Sequence, residues 1–339
     1  MSTTLKLSRR SFVLSAVALA ACKPGSALIE LTGSTMGTQY NVVVVDNGSG
    51  VEKAELQAAV DESLARINTL MSNWDAGSEV SRFNAARSTA PIAVSQELAA
   101  VVQAAEDVHK QSDGYFDITL GPVIEVWGFG APASLSTAPG TATIANAMAH
   151  TGQDKLSVSG TNLQKSDPAT QMYLSSIGKG YGVDYVAAAV SGLGFTDFMV
   201  EIGGDLYVSG KNADAVSWKI GIESPDLLSG DVADVARATN MGLATSGDYR
   251  NFFEEDGTRF SHIIDPKTGR PVTHNTTSVT VLAENAMLAD AWATGLLAMG
   301  AARGMGLAND LKIAALFIER DAAGTHINFT TEAFDALQA

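Results

Sequence analysis

The spacing of apolar positions changes along this chain, and the change separates its helices from its strands. Between residues 52 and 70, Leu56, Val60, Leu64, Ile67 and Leu70 recur at three- and four-residue intervals, which predicts an amphipathic helix. A second helix is predicted over 95–109, where Ser95 can act as N-cap with Glu97 close behind. Two more are predicted over 180–193 and 286–298. Alternating or β-branched runs predict strands at 39–45, 171–174, 197–202, 218–223, 278–282 and 314–319. Helix and strand signals interleave irregularly rather than as a regular βαβ succession. The expected class is therefore α+β, with layered mixed sheets and packed helices. Residues 137–153, rich in Ala, Thr and Gly, read as a surface excursion, and residues 71–84 as a rim loop. No internal repeat is visible.

Composition narrows the function. The chain has 339 residues, 46% hydrophobic and 17% charged, so it can bury a large core. Its formal charge of −15 argues against nucleic acid, whose phosphates need a basic face. The same acidity means that a dinucleotide pyrophosphate would need backbone donors, a lysine or a divalent cation.

The N-terminus reads as a targeting segment and is set apart from the fold. Ser8-Arg9-Arg10-Ser11-Phe12-Val13 is a twin-arginine pattern, and the apolar run after it is too short to span a bilayer. It ends Leu19-Ala20-Ala21-Cys22, which resembles a lipoprotein signal. Residues 1–21 are expected to be cleaved, Cys22 to carry a lipid, 22–28 to act as a tether, and 29–335 to form the functional domain. Cleavage would take the formal charge from −15 to −18. Cys22 is the single cysteine, so an intramolecular disulfide is excluded. Twin-arginine export implies folding before crossing. The expected location is the cell envelope, facing the periplasm and anchored to the inner or outer membrane; Lys23 after Cys22 tilts this toward the outer one.

Several constellations carry candidate chemistry. Asp290 and Thr294 stand four residues apart, on one side of a predicted helix otherwise made of Ala, Leu, Met and Trp. A carboxylate there suits either a hard cation such as Mg²⁺ or an ordinary capping or pairing role. The run 174–184, Leu-Ser-Ser-Ile-Gly-Lys-Gly-Tyr-Gly-Val-Asp, takes a strand end through a glycine turn with Lys179 into a helix start. That arrangement offers amide donors to phosphate, although close packing alone would also demand glycine. The spacing of a P-loop is absent. Glu201-Ile202-Gly203-Gly204-Asp205 reads as a strand entering a turn. Tyr115-Phe116-Asp117 and Trp127-Gly128-Phe129 could stack a planar ring or fill the core. His262, inside the glycine- and aspartate-rich stretch 244–272, is an acid–base candidate or a structural histidine.

Together these segments resemble the ApbE family of FAD:protein FMN transferases. Carrying the resemblance, in family order, are Thr35-Met36-Gly37-Thr38, 71–84, 114–119 with 127–130, 175–184, 200–205, 244–272 and 278–294. The resemblance implies FAD contacts at Met36, Trp74, Tyr115, Phe116, Asp117, Ser175, Lys179, Tyr181 and Ile264. It implies Mg²⁺ held by the side chains of Asp290 and Thr294 with carbonyls of Gly178 and Ala293, and a place near the reaction for His262. Gly178 and Gly182 stand where the family often has Ala, and Trp74 where tyrosine is common. The implied reaction is transfer of FMN from FAD to a Ser or Thr hydroxyl of an acceptor protein, releasing AMP. The implied acceptor is a membrane redox subunit with an Asp-x-x-Ser/Thr-Gly/Ala-Thr segment. A Mg²⁺-dependent FAD pyrophosphatase, giving FMN and AMP, and a non-enzymatic FAD-binding lipoprotein are the competing readings.

Overall fold

The computed structural model describes residues 27–46, 48–130, 137–226 and 231–339. The twin-arginine segment, Cys22 and the tether up to residue 26 lie outside the described residues. Among the described residues, no helix is long and apolar enough to cross a membrane.

Eight strands form the central sheet, each pair antiparallel. Their spatial order is Leu28–Thr35, Thr38–Val45, Phe198–Ile202, Asp205–Ser209, Met241–Gly247, Thr276–Ala283, Ala314–Arg320 and His326–Thr330. Alternation along the strands sorts side chains between two faces. On one face, Val42, Val44 and Val200 pack against Leu56, Val60 and Leu64 of helix Lys53–Met71 and Val183, Val186 and Val190 of helix Gly178–Gly192. Further along that face, Ala244, Val279, Val281 and Phe317 meet helices Gln96–Gln111 and Ala286–Met299. The opposite face presents Val208, Leu243, Leu316 and Ile318 to the hairpin Trp218–Glu223/Val232–Ala238 and to Phe334 of the last helix, Glu332–Gln338. Covering both faces explains why strand Thr276–Ala283 is buried along nearly its whole length. The α+β class holds, with layers of helix, sheet and hairpin.

All four predicted helices form, as do five of the six strands. Ser95 does cap its helix, accepting from the Leu98 amide. The exception is 171–174, which is extended but joins no ladder. Most of its backbone bonds run to side chains instead: the Met172 amide donates to Asn84 and the Leu174 amide to Asn73, while the Met172 carbonyl accepts from both asparagine amides; the Tyr173 amide finds a backbone partner, the Ile118 carbonyl. Two loop expectations also need correction. The stretch 137–153 contains helix Thr141–Met148, which buries Ile144 and Ala147 against Trp127. The rim loop contains helix Glu79–Ala85, which buries Val80 and Phe83 and is capped by Ser78. In both, small polar residues mask a short amphipathic stripe.

Helices Gly178–Gly192 and Ala286–Met299 cross where the latter begins, at a point with no room for a side chain. A Cβ on Gly180 would lie 2.2 Å from the Ala286 carbonyl oxygen, and one on Gly242 would lie 2.2 Å from the Ala286 nitrogen. Asp184 completes the joint by accepting from the amides of Ala286 and Met287, both at 2.8 Å, and Asn285 caps Leu288. Two of the first free amides of the long apolar helix are thus satisfied by the helix it crosses. Since backbone cannot yield as a flexible side chain does, Gly180→Ala and Gly242→Ala should each destabilise the protein by ~3 kcal/mol. Chemical denaturation measures this, and a loss below ~1 kcal/mol would contradict the packing.

Candidate active site

The helix crossing forms one wall of a cavity of about 880 Å³. Its lining comes from seven regions of the chain: the turn after Met36, the 115–124 segment, residues 173–179 leading into helix Gly178–Gly192, the 201–206 turn, residues 220–223 with 231–232, the 243–264 stretch, and helix Ala286–Met299. Chemistry-bearing positions far apart in sequence therefore face one space.

Its most polar feature is a buried ionic junction. Asp290 is 4% exposed, and its Oδ2 accepts from the Gly180 amide at 2.9 Å. Asp205 is 1% exposed and pairs with Lys179, Nζ to Oδ2 2.5 Å. Glu201 stands on the neighbouring strand, its carboxylate accepting from the Gly204 amide. One ammonium thus serves three carboxylates. Burial, aggravated by the Asp205 charge, lifts the Asp290 carboxyl well above the usual range. Burial also raises Asp205 and Glu201. For Lys179 burial pulls down, but the charges of Asp205, Asp290 and Glu201 prevail and hold it raised. Asp184, on the same helix, is pushed up to about 6 by burial. The junction is short of positive charge.

A divalent cation would relieve that shortage. Among the described residues no group of three or more His, Cys, Asp or Glu gathers as a metal cluster. Hydroxyls, carbonyls and substrate oxygens would have to complete a site. Thr294 sits one turn beyond Asp290 on the same helix, its hydroxyl 2.9 Å from that of Ser246. An under-compensated carboxylate beside neutral oxygens suits a hard cation such as Mg²⁺.

His262 occupies another part of the cavity wall, half-buried and edge-on to Phe129 with ring centroids 6.3 Å apart. Both its backbone amide and its Nδ1 lie 3.1 Å from the Asn251 carbonyl. A carbonyl only accepts, so Nδ1 carries the proton and Nε2 is left as acceptor. Burial holds this histidine below its usual pKa. It is a neutral base at neutral pH.

The cavity lining includes nine of the residues singled out from the sequence: Tyr115, Phe116, Asp117, Ser175, Lys179, His262, Ile264, Asp290 and Thr294. Asp117 is occupied with structure, Oδ1 accepting from the Thr119 amide and hydroxyl and Oδ2 from the Gln153 amide. Tyr115 lies between two cations, with Lys267 5.5 Å and Arg303 5.2 Å from its ring centroid and Arg303 also donating to its hydroxyl. Gly178 and Ala293 are buried one residue before Lys179 and Thr294. Met36 does not line the cavity: its neighbour Gly37 does, while its own methyl presses on Gly182. Trp74 is 62% exposed and is not in the lining, its ring meeting that of the lining residue Tyr173 edge-on, centroids 5.6 Å apart. Tyr181, half-buried beside Tyr185, is also off the wall, and burial pushes its hydroxyl up to about 12. Trp127 is fully buried among Phe253 and Phe260 and donates to the Gly269 carbonyl, so it belongs to the core. Sequence reasoning underrated Asp205, read only as part of a turn. Its signal was an acid directly after Gly203-Gly204.

Replacing Lys179 tests the charge balance directly. Lys179→Met should cost ~3 kcal/mol of metal-free stability, the low end for a broken buried pair because 27% of the lysine side chain remains accessible. Denaturation in the presence of a chelator measures the loss, and an unchanged midpoint would show the pair to be idle.

Comparison with known proteins comes to a consistent result. A model of the ApbE family matches residues 36–317. The FAD:protein FMN transferase of Vibrio cholerae serotype O1 is 41% identical over 300 residues, covering 88% of this chain and 90% of the relative. That of Haemophilus influenzae is 38% identical over 334 residues, covering 96% and 95%. Among solved structures, the flavin transferase ApbE from Vibrio cholerae superposes with a TM-score of 0.85 at 37% identity, covering 92% of this chain and 99% of that one. The apo form of the Pseudomonas stutzeri flavinyl transferase ApbE gives 0.83 at 34%, covering 94% and 99%.

Proposed function

The chain belongs to the ApbE family, and from that premise we propose that it moves FMN from FAD to a hydroxyl of an acceptor protein, with Mg²⁺ required and AMP released. The observation that carries the reading is the charge-deficient junction opening on the same cavity as a neutral histidine. A cavity of about 880 Å³ is also within the usual range for a large cofactor-like ligand.

In the proposed step the acceptor Ser or Thr oxygen forms a bond to the FMN-side phosphorus. The phosphoanhydride bond breaks, and AMP leaves with its electron pair. His262 Nε2 takes the hydroxyl proton, its ring fixed by the Asn251 carbonyl. Tyr115, Ser175 and Ile264 offer contacts along the FAD, and Lys179 lies where it can turn an ammonium toward phosphate. Met36, Trp74 and Tyr181 would contribute through the residues they support. Asp290, Thr294 and the carbonyls of Gly178 and Ala293 would hold Mg²⁺, which when bound supplies positive charge to the phosphate oxygens. Alignment and charge neutralisation are the main requirements of phosphoryl transfer.

The N-terminal pattern supports a lipid anchor at Cys22, twin-arginine export and a position facing the periplasm. The acceptor is proposed to be a membrane redox subunit bearing an Asp-x-x-Ser/Thr-Gly/Ala-Thr segment.

Incubation with FAD, Mg²⁺ and such an acceptor should add one FMN mass to the acceptor and release AMP; AMP without labelled acceptor would indicate hydrolysis. Asp290→Asn should lower the Mg²⁺-dependent rate by roughly 10²-fold or more, and full activity would refute the ligand role. Protonation disables His262, so the rate should fall as pH drops, with a midpoint below the ordinary histidine value of about 6.5. That acid limb should vanish in His262→Gln.

A further inference from the structure

His262 depends for its orientation on one carbonyl, and that carbonyl lies in an irregular turn. Residues 248–251 follow strand Met241–Gly247 and precede the hairpin Phe252–Glu255/Thr258–Ser261. Asp248 is tied to the sheet by its amide, which donates to Thr277 at 2.9 Å. Asn251, at the far end of the turn, holds the histidine.

Arg259, on the returning strand of the hairpin, reaches back across this turn. Its Nη1 donates to Asp248 Oδ2 and its Nη2 to the Asp248 carbonyl, both at 2.6 Å. The guanidinium lies over the Phe252 ring, 4.1 Å from its centroid. Planar fork geometry lets one arginine grip a carboxylate and a carbonyl together, which an ammonium does not reproduce. The contact closes a loop from 248 to 259 that holds Asn251 inside it and ends three residues before His262. On the hairpin's other side, Phe253 and Phe260 stack at 5.2 Å and press on Trp127. Arg259 itself is not part of the cavity lining.

We infer that Arg259 is a positioning residue for the transfer: by clamping Asp248 it fixes the Asn251 carbonyl, and through it the His262 ring. The inference rests on His262 being the base, and a double-mutant cycle tests the two ideas separately. The probes are FAD, Mg²⁺ and a soluble protein carrying the Asp-x-x-Thr-Gly-Ala-Thr segment. R259Q should lower kcat about 10-fold or more, a loss of the size seen when a positioned base is misaligned. FAD affinity, read by flavin fluorescence, should stay within about threefold, since Arg250 of the same turn is separately paired with Glu223. R259K should resemble R259Q. In the H262Q background, read by slow accumulation of labelled acceptor, R259Q should cost nothing further.

An R259Q loss of equal factor in the H262Q background would overturn the clamp and leave the base intact. Recovery by R259K, or a loss confined to FAD affinity, would also overturn it. Full activity of H262Q would sink the base assignment and the clamp with it. Should R259Q fail to fold by circular dichroism, D248N removes the carboxylate end of the grip and is judged by the same cycle.

Discussion

Three carboxylates and one ammonium share a junction in which Asp205 and Asp290 are almost fully buried, and the architecture around the cavity is arranged about that imbalance. Asp290 comes from the last long helix, Lys179 from the helix it crosses, and Asp205 and Glu201 from neighbouring strands. Burying such charges costs several kcal/mol each unless partners are close. Partners are close only because Gly180 and Gly242 let backbone meet backbone at Ala286. Packing at the crossing and electrostatics beside it are one constraint seen from two sides. The same negative excess is what the proposed cation would offset, and through it the charge of a phosphate.

The second half of the chemistry is organised differently. The junction belongs to helices and sheet, whereas His262 hangs at the end of a short hairpin outside the main sheet. Its placement relies on hydrogen bonds and ring stacking rather than on a ladder. In the proposed step an electrostatic floor on rigid elements and a histidine on an appendage would divide the task, charge neutralisation going to one and proton acceptance to the other.

How much of this was legible depended on the range of the signal. Long helices announced themselves because periodicity over several turns outweighs single residues: Leu56 to Leu70 could hardly be anything else. Segment 171–174 misled because its apolar run is real, Met172, Tyr173 and Leu174 all being buried, while its bonding partners are the Ile118 carbonyl and the side chains of Asn73 and Asn84, far away in sequence, rather than a neighbouring strand. Strand Met241–Gly247 was missed because Gly, Ser and Thr dilute its pattern, and the five-residue strand Asp205–Ser209 because it directly follows Gly203-Gly204 and its start was read as part of the turn. For the site, Asp290, Thr294, Lys179 and His262 stood out as chemical types in odd surroundings. Asp205 did not, since an acid after two glycines is ordinary turn chemistry until a lysine is found against it. Met36, Trp74 and Tyr181 came from resemblance alone; none belongs to the lining, Met36 and Tyr181 being partly buried beside it and Trp74 lying exposed.

Among the lining residues, Gly37 comes early in the chain and Ala298 late, and strand Met241–Gly247 is seated between a hairpin before it and strand Thr276–Ala283 after it. A nascent polypeptide emerging from the ribosome accordingly lacks the Asp290, Thr294 and Ala298 side of this pocket until synthesis is nearly finished. Until the helix carrying Asp290 has been synthesised and docked, the lysine and its neighbouring acids face nothing that could receive a nucleotide. Ligand capture belongs to the finished molecule, so any premature stop before that helix removes function outright instead of weakening it by degrees.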